Sequence, residues 1–350
     1  MATGELTVDL DAIAANWRAL DATGSAETGA VVKADGYGLG AGAVTRALAA
    51  AGARSFFVAD ASEGAAVRKA AGEARDVYVF GGHQAGDTEA IGRHRLIPLL
   101  NAPEQWRRHR DALPGAPFGV QLDTGMSRLG FDPVDWQAAR AEMLPARPAL
   151  VISHLACADD PDHPMNAAQL RAFRTMTDGI DAPRSLAATG GTLLGRDYHF
   201  DLVRPGIGLY GGLPFAEARP VVRLSLPVIQ CRTVPAGTAA GYGATWTARR
   251  ETRLATVSGG YADGLLRALS AGCDLWDGPV RCPLAGRVSM DLLIVDVTEA
   301  GRDPEALDVL GGSQGIDDLA SAAGTIGYEL LTALGRRYRR LEGPVSGGQP

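Results

Sequence analysis

From about residue 10 to about 215 the apolar positions come in short continuous runs, and segments with a helical period lie between them. Eight runs read as strands: Ala30–Ala34, Ser55–Ala59, Val77–Phe80, Leu96–Leu100, Phe118–Leu122, Ala149–His154, Arg184–Ala187 and Leu202–Ile207. Their continuity, in place of apolar–polar alternation, is that of parallel strands covered on both faces. The intervening pattern predicts helices over Ala41–Ala51, Ala61–Ala71, Pro133–Met143 and Asn166–Thr177, with Asp or Ser near several starts. Eight such repeats predict an α/β fold, a (β/α)8 TIM-type barrel. The competing arrangement is an open doubly wound sheet, which calls for GxGxxG after its first strand; the chain has Lys33-Ala34-Asp35-Gly36-Tyr37-Gly38 there.

After about residue 217 the texture changes. Val221–Val228, Ile229–Val234, Leu254–Val257, Val280–Leu284, Leu292–Val297 and Leu307–Leu310 are short β-rich segments between glycine, proline and acidic turns. They predict a second, mainly β domain built from residues 1–7 and 218–350, beside a barrel over 8–217. A last helix is expected over Gly324–Leu334, then the basic segment Arg336–Arg340 and a frayed tail from Gly343.

Composition narrows the partners. The 350 residues, 46% of them hydrophobic, suffice for two cores, and a formal net charge of −6 leaves no broad basic surface for nucleic acid. No apolar run is long enough to span a bilayer and the N-terminus has no signal pattern, so a cytoplasmic protein is expected. Cys157, Cys231, Cys273 and Cys282 form no CxxC pair and have no histidine at ligand spacing, which favours reduced thiols over a metal site.

Candidate chemistry begins at Lys33, which ends the first strand run. Among 34 Lys+Arg residues only Lys33 and Lys69 are lysine. An amine, unlike a guanidinium, sheds its proton when desolvated and attacks a carbonyl to form a Schiff base. The alternative is a lysine that snorkels from a strand end to water. Other polar residues gather at the carboxyl ends of the strands, where barrels build their sites. Asp123–Arg128 follows the fifth strand, His154 ends the sixth, Thr189-Gly190-Gly191 follows the seventh and Arg204–Gly208 falls on the eighth. The last two turns, with bare backbone N–H groups and a hydroxyl, suit a phosphate. An amine facing a phosphate cradle points to pyridoxal phosphate.

Taken together, Val32–Gly38, Leu122–Gly130, Arg204–Gly211, Gly241-Tyr242-Gly243, Gly260–Gly264 and Gly286–Asp291 resemble the motifs of the alanine racemase family, over nearly the whole chain. The resemblance implies an isomerase interconverting L- and D-alanine, with Lys33 holding the cofactor and serving as one base. Tyr242, supplied by the other subunit of a homodimer, is implied as the base on the opposite face. Inversion needs a base on each side, and a tyrosine with a reference pKa of ~10 needs nearby positive charge to serve; His154 and Arg204 are the implied relay. Arg204 is also implied to face the pyridine nitrogen, Arg128 and the Met290 backbone N–H the substrate carboxylate, and Tyr37, Thr189, Gly206, Ile207 and Tyr328 the phosphate.

The chain departs from the family pattern at Gln121, where a carbamylated lysine is frequent, at Ala188-Thr189 in place of Asn-Ser, and at Leu39 in place of histidine. Two other readings compete. A pyridoxal-phosphate carrier would share the lysine and phosphate turns but lack the β domain and Tyr242. A decarboxylase of similar architecture would place an acid where Arg204 stands.

Overall fold

The structure is a computed structural model that describes residues 4–345. The chain divides into two compact units, one spanning Ile13–Ala218 and one assembled from the residues on either side of it.

The first unit is the expected barrel. Seven parallel strands run in sequence order: Ala30–Val31, Ser55–Val58, Asp76–Val79, Ile97–Leu100, Gly119–Gln121, Val151–Ile152 and Arg184–Ser185. An eighth, Leu202–Val203, closes the ring. The Asp201 and Arg204 N–H groups donate to Arg184 O (3.0 Å) and Ala187 O (2.8 Å) on one side. On the other, Leu202–Val203 pairs with Glu27–Thr28, which runs through Gly29 into Ala30–Val31 as one interrupted first strand. Every residue of Ser55–Val58 and Ile97–Leu100 is buried, as a strand wrapped by helices requires. The helices Ala41–Ala51, Ala61–Ala71 and Pro133–Met143 stand where their spacing predicts. The Asp60 and Asp132 carboxylates cap two of them, each accepting two first-turn N–H groups.

The ladders are shorter than the apolar runs, and this corrects one placement. Lys33 does not end a strand. It lies beyond Val31, at the start of a left-handed turn in which Ala34, Asp35, Gly36 and Tyr37 have φ of 53°, 55°, 64° and 55°. The first strand also starts earlier than expected, because Glu27–Thr28 carries no apolar signal.

In the second unit an eight-stranded sheet is organised around Val222–Val234. Its first half pairs with Glu5–Val8 and Ala306–Leu310, its second half with Thr252–Ser258, and the register shifts between Val228 and Gln230. The break expected after Val228 is thus a bulge in one long strand. Glu5–Val8, Asp274–Asp277 and Arg339–Glu342 were not anticipated as strands. The last helix is Gly327–Ala333, preceded by a separate helix Ile316–Ala323. The start of the expected frayed tail is tied down, with Gly343 N–H donating to Val8 O (3.1 Å) and Val345 N–H to the Asp9 carboxylate (3.0 Å); residues 346–350 lie outside the described residues.

Candidate active site

A non-glycine residue in left-handed conformation costs roughly 1–2 kcal/mol, and three stand in the turn after Lys33. Specific contacts hold them there. The Asp35 carboxylate accepts the Ala41 N–H (2.9 Å) and the Tyr37 ring stacks on buried Tyr210 at 4.4 Å. The Tyr210 hydroxyl donates to Val31 O (3.0 Å), and the Glu63 carboxylate accepts the Ala34 N–H (2.7 Å). The turn leaves Lys33 half-buried, its Nζ 5.8 Å from the centre of the Phe80 ring. Burial lowers the pKa of the amine, the Arg128 charge lowers it further, and Glu63 opposes them. A larger share of neutral, nucleophilic amine at physiological pH follows.

Four of the candidate groups act on one another. His154 is pushed down to about 3, first by desolvation and then by the charges of Arg204, Arg128 and Lys33. Its imidazole is therefore neutral at pH 7. Arg204 is buried, and burial draws it down to about 9, which leaves it charged at pH 7. Its side chain donates to Ser185 Oγ and to the Ser153 and Leu186 carbonyls, the latter two at 2.6 and 3.5 Å. All of these partners are neutral. Arg128 is exposed, after a turn held by the Asp123 carboxylate on the Gly125 and Ser127 N–H groups. Gln121 is buried and its amide donates to Leu129 O (3.4 Å), so it braces the segment that carries Arg128.

The expected phosphate turns are only partly bare. Thr189 Oγ1 accepts the Gly206 N–H (3.0 Å) and the Gly208 N–H (3.2 Å). With both lone pairs so used, its hydroxyl proton is left to donate to an anion. A side chain at Gly206 would bring its Cβ within 2.3 Å of the Tyr37 hydroxyl, so glycine is what admits that hydroxyl to the turn. Ile207 is buried beside it.

Tyr242, Met290 and Tyr328 belong to the second unit. Tyr242 is 72% exposed in a short turn between Gly241 (φ 75°) and Gly243 (φ 73°), and Met290 is 53% exposed. The Met290 carbonyl accepts the Ala262 N–H (3.0 Å), and Tyr328 lies in the Gly327–Ala333 helix.

Sequence reasoning missed Glu63, Phe80, Ser153, Ser185 and Gln169. Gln169, buried on the helix Pro164–Met176, donates to His154 O (2.9 Å) and accepts the Ala156 N–H (2.8 Å), which fixes the main chain on both sides of Leu155. Glu63 left a readable signal, since it stands three residues after the capping residue Asp60, where an acid reaches back over the helix start. The others carry no local mark. Barrel closure sets Ser153 and Ser185 beside Arg204 and Phe80 beside Lys33, while Gln169 holds the main chain that follows His154.

The alanine racemase N-terminal domain family matches residues 8–214, and the alanine racemase C-terminal domain family residues 221–342. An alanine racemase from Jannaschia sp. (strain CCS1) is 65% identical over 97% of this chain and 99% of that one. One from Cereibacter sphaeroides is 61% identical over 99% and 100%. Among solved structures, alanine racemase from Bartonella henselae with covalently bound pyridoxal phosphate superimposes with a TM-score of 0.92 at 35% identity, covering 98% of this chain and all of that one.

Proposed function

The chain belongs to the alanine racemase family, and from that premise we propose how its residues carry out the pyridoxal-phosphate-dependent interconversion of L- and D-alanine. One observation supports the assignment above the others: Lys33, Arg128 and Arg204 act together on His154, while no carboxylate pairs with Arg204 among the described residues. That set fits the cofactor. A phosphate and a substrate carboxylate bring the negative charge it lacks, and the Thr189 hydroxyl has a proton to give. When bound, pyridoxal phosphate supplies an electron sink that makes the substrate's α-C–H acidic enough for a side chain to remove.

Lys33, its amine lowered in pKa, would hold the cofactor covalently and then serve one face of the α-carbon, removing the proton there in one direction of the reaction and delivering one there in the other. Tyr242 of the partner subunit would serve the opposite face, so the working form is a homodimer with shared sites. Its exposure in the isolated chain agrees with a role toward another subunit. Arg204 would face the pyridine nitrogen through its Nε–H, which enters none of its other hydrogen bonds. Because a guanidinium gives up its proton so reluctantly, that nitrogen stays largely neutral, which limits side reactions such as transamination. This arginine also speaks against a decarboxylase, and the second unit against a carrier. His154, being neutral, can pass a proton between neighbours but adds no charge, so the field favouring a phenolate would come from the arginines. Arg128, with the Met290 backbone N–H, would bind the substrate carboxylate; Tyr37, Thr189, Gly206, Ile207 and Tyr328 would surround the phosphate. The four cysteines are free, in keeping with a reducing, cytoplasmic setting.

Borohydride reduction of the holoenzyme followed by peptide mapping tests the assignment. The pyridoxyl group is expected on Lys33; label on Lys69, or none, would overturn it. Optical rotation of L-alanine should meanwhile fall to zero without loss of alanine.

A further inference from the structure

We propose that Glu63 is the positioning residue of Lys33, its carboxylate clamping the turn that starts at Lys33 to the end of the neighbouring barrel strand. The inference rests on the assignment of Lys33 as the cofactor-bearing amine. Its basis is a two-point contact: one oxygen of Glu63 accepts the Ala34 N–H at 2.7 Å, the other the Ala59 N–H at 2.8 Å. Ala34 follows Lys33 directly and opens the left-handed run, while Ala59 follows the strand Ser55–Val58. One carboxylate thus spans the first two barrel strands at the rim, beside a turn that holds three non-glycine residues at positive φ.

Only an ionised acid performs both acceptances. The amide of glutamine would accept one N–H and turn its own NH2 toward the other, a donor against a donor. Glu63 stands in the first turn of the helix Ala61–Ala71, where exposed N–H groups and the helix dipole favour negative charge, and the cap is supplied separately by Asp60. The same charge acts on the Lys33 amine, opposing burial and Arg128. Glu63 therefore has two effects: it fixes where the amine stands, and it keeps the amine from becoming too weak a base to recover a proton from the α-carbon.

Because Lys33 and Lys69 are the only lysines, each can be watched separately. Reductive 13C-methylation of the full chain without cofactor yields one dimethyl-lysine resonance for each, and its shift against pH reads that amine's titration. In Glu63→Gln the Lys33 titration is expected to move to lower pH while that of Lys69 stays in place. In the holoenzyme kcat should fall roughly 10- to 100-fold with KM for alanine little changed, the size of a misplaced reacting group. Glu63→Asp keeps the charge but is too short to span both N–H groups. Its Lys33 titration should stay near wild type and its kcat fall to an intermediate value, an outcome that does not depend on Glu63→Gln folding. An unmoved Lys33 titration in Glu63→Gln would overturn the electrostatic role even if activity fell, and a wild-type kcat in Glu63→Asp would overturn the clamp. Borohydride label absent from Lys33 in the wild type would refute the cofactor assignment instead, so the two failures are distinguishable.

Discussion

At the scale of single residues, the contact between Gly206 and Tyr37 shows how little space there is at the proposed phosphate end of the site. Gly206 has φ of −124°, outside the left-handed region, and the requirement for glycine there includes a steric one. A methyl group there would meet the Tyr37 hydroxyl at 2.3 Å and the ring carbon bearing it at 3.2 Å. Tyr37 cannot yield freely, because it is buried and stacked on Tyr210. Gly206→Ala is therefore expected to cost about 1–3 kcal/mol in urea unfolding of the cofactor-free protein and to weaken cofactor retention. Tyr37→Phe removes the closest atom, so adding Gly206→Ala to it should cost less than in the wild type. A double-mutant cycle that summed without coupling would show that the two residues do not touch.

At the scale of elements, a buried pair of histidines joins three barrel segments away from the site. His83 follows the strand Asp76–Val79, and His109 lies on the helix Pro103–Ala112 with its Nδ1 3.2 Å from that of His83. With both rings neutral, the partners at the ends place every proton. Ala116 O can only accept, so His109 Nε2 donates to it (3.2 Å); His109 Nδ1 is then bare and accepts from His83 Nδ1, leaving His83 Nε2 to accept the Thr88 hydroxyl (2.9 Å). Protonating both rings would set one Nδ1–H against the other, so the pair resists full protonation. Burial lowers the pKa of each; for His83 the neighbouring His109 and Arg108 add to it and Asp87 opposes. Unfolded histidines take up protons near pH ~6.5, so below that pH the unfolded state binds protons the folded state refuses, and stability falls as pH falls. The melting temperature should decline from pH 7 to pH 5. His83→Asn retains an N–H toward His109 but cannot titrate, so its decline should be shallower; an identical slope would show that the pair carries none of the acid sensitivity.

At the scale of the whole molecule the question is which chains complete one site. Lys33 and Tyr242 stand on different units, and the proposed function takes them from different subunits. Lys33→Ala and Tyr242→Phe should each be nearly inactive alone. Unfolded together and refolded as a mixture, they would form mixed dimers having one site with both lesions and one intact site. Random pairing should then restore roughly a quarter of wild-type activity if the sites act independently. Activity that stayed at the level of the single variants, with mixed dimers demonstrated, would rule out shared sites.

The repeating apolar runs by themselves determined the barrel, its eight strands in order, and the mainly β part that follows it. Those features depend on local periodicity, which burial on two faces or one imposes directly on sequence. The special lysine, the hydroxyl at Thr189 and the buried arginine were legible for a related reason: each is a residue type whose ordinary place is elsewhere. Tertiary structure alone decided that Lys33 begins a left-handed turn and does not end a strand. Ala34 carries no mark of positive φ, and contacts with Glu63, Ala41 and Tyr210 hold the turn. It decided too that Thr189 already occupies the N–H groups of Gly206 and Gly208, and that His154 is neutral. Strand pairing joins residues far apart in sequence, and the charge of a buried group depends on every neighbour so assembled, which no window along the chain contains.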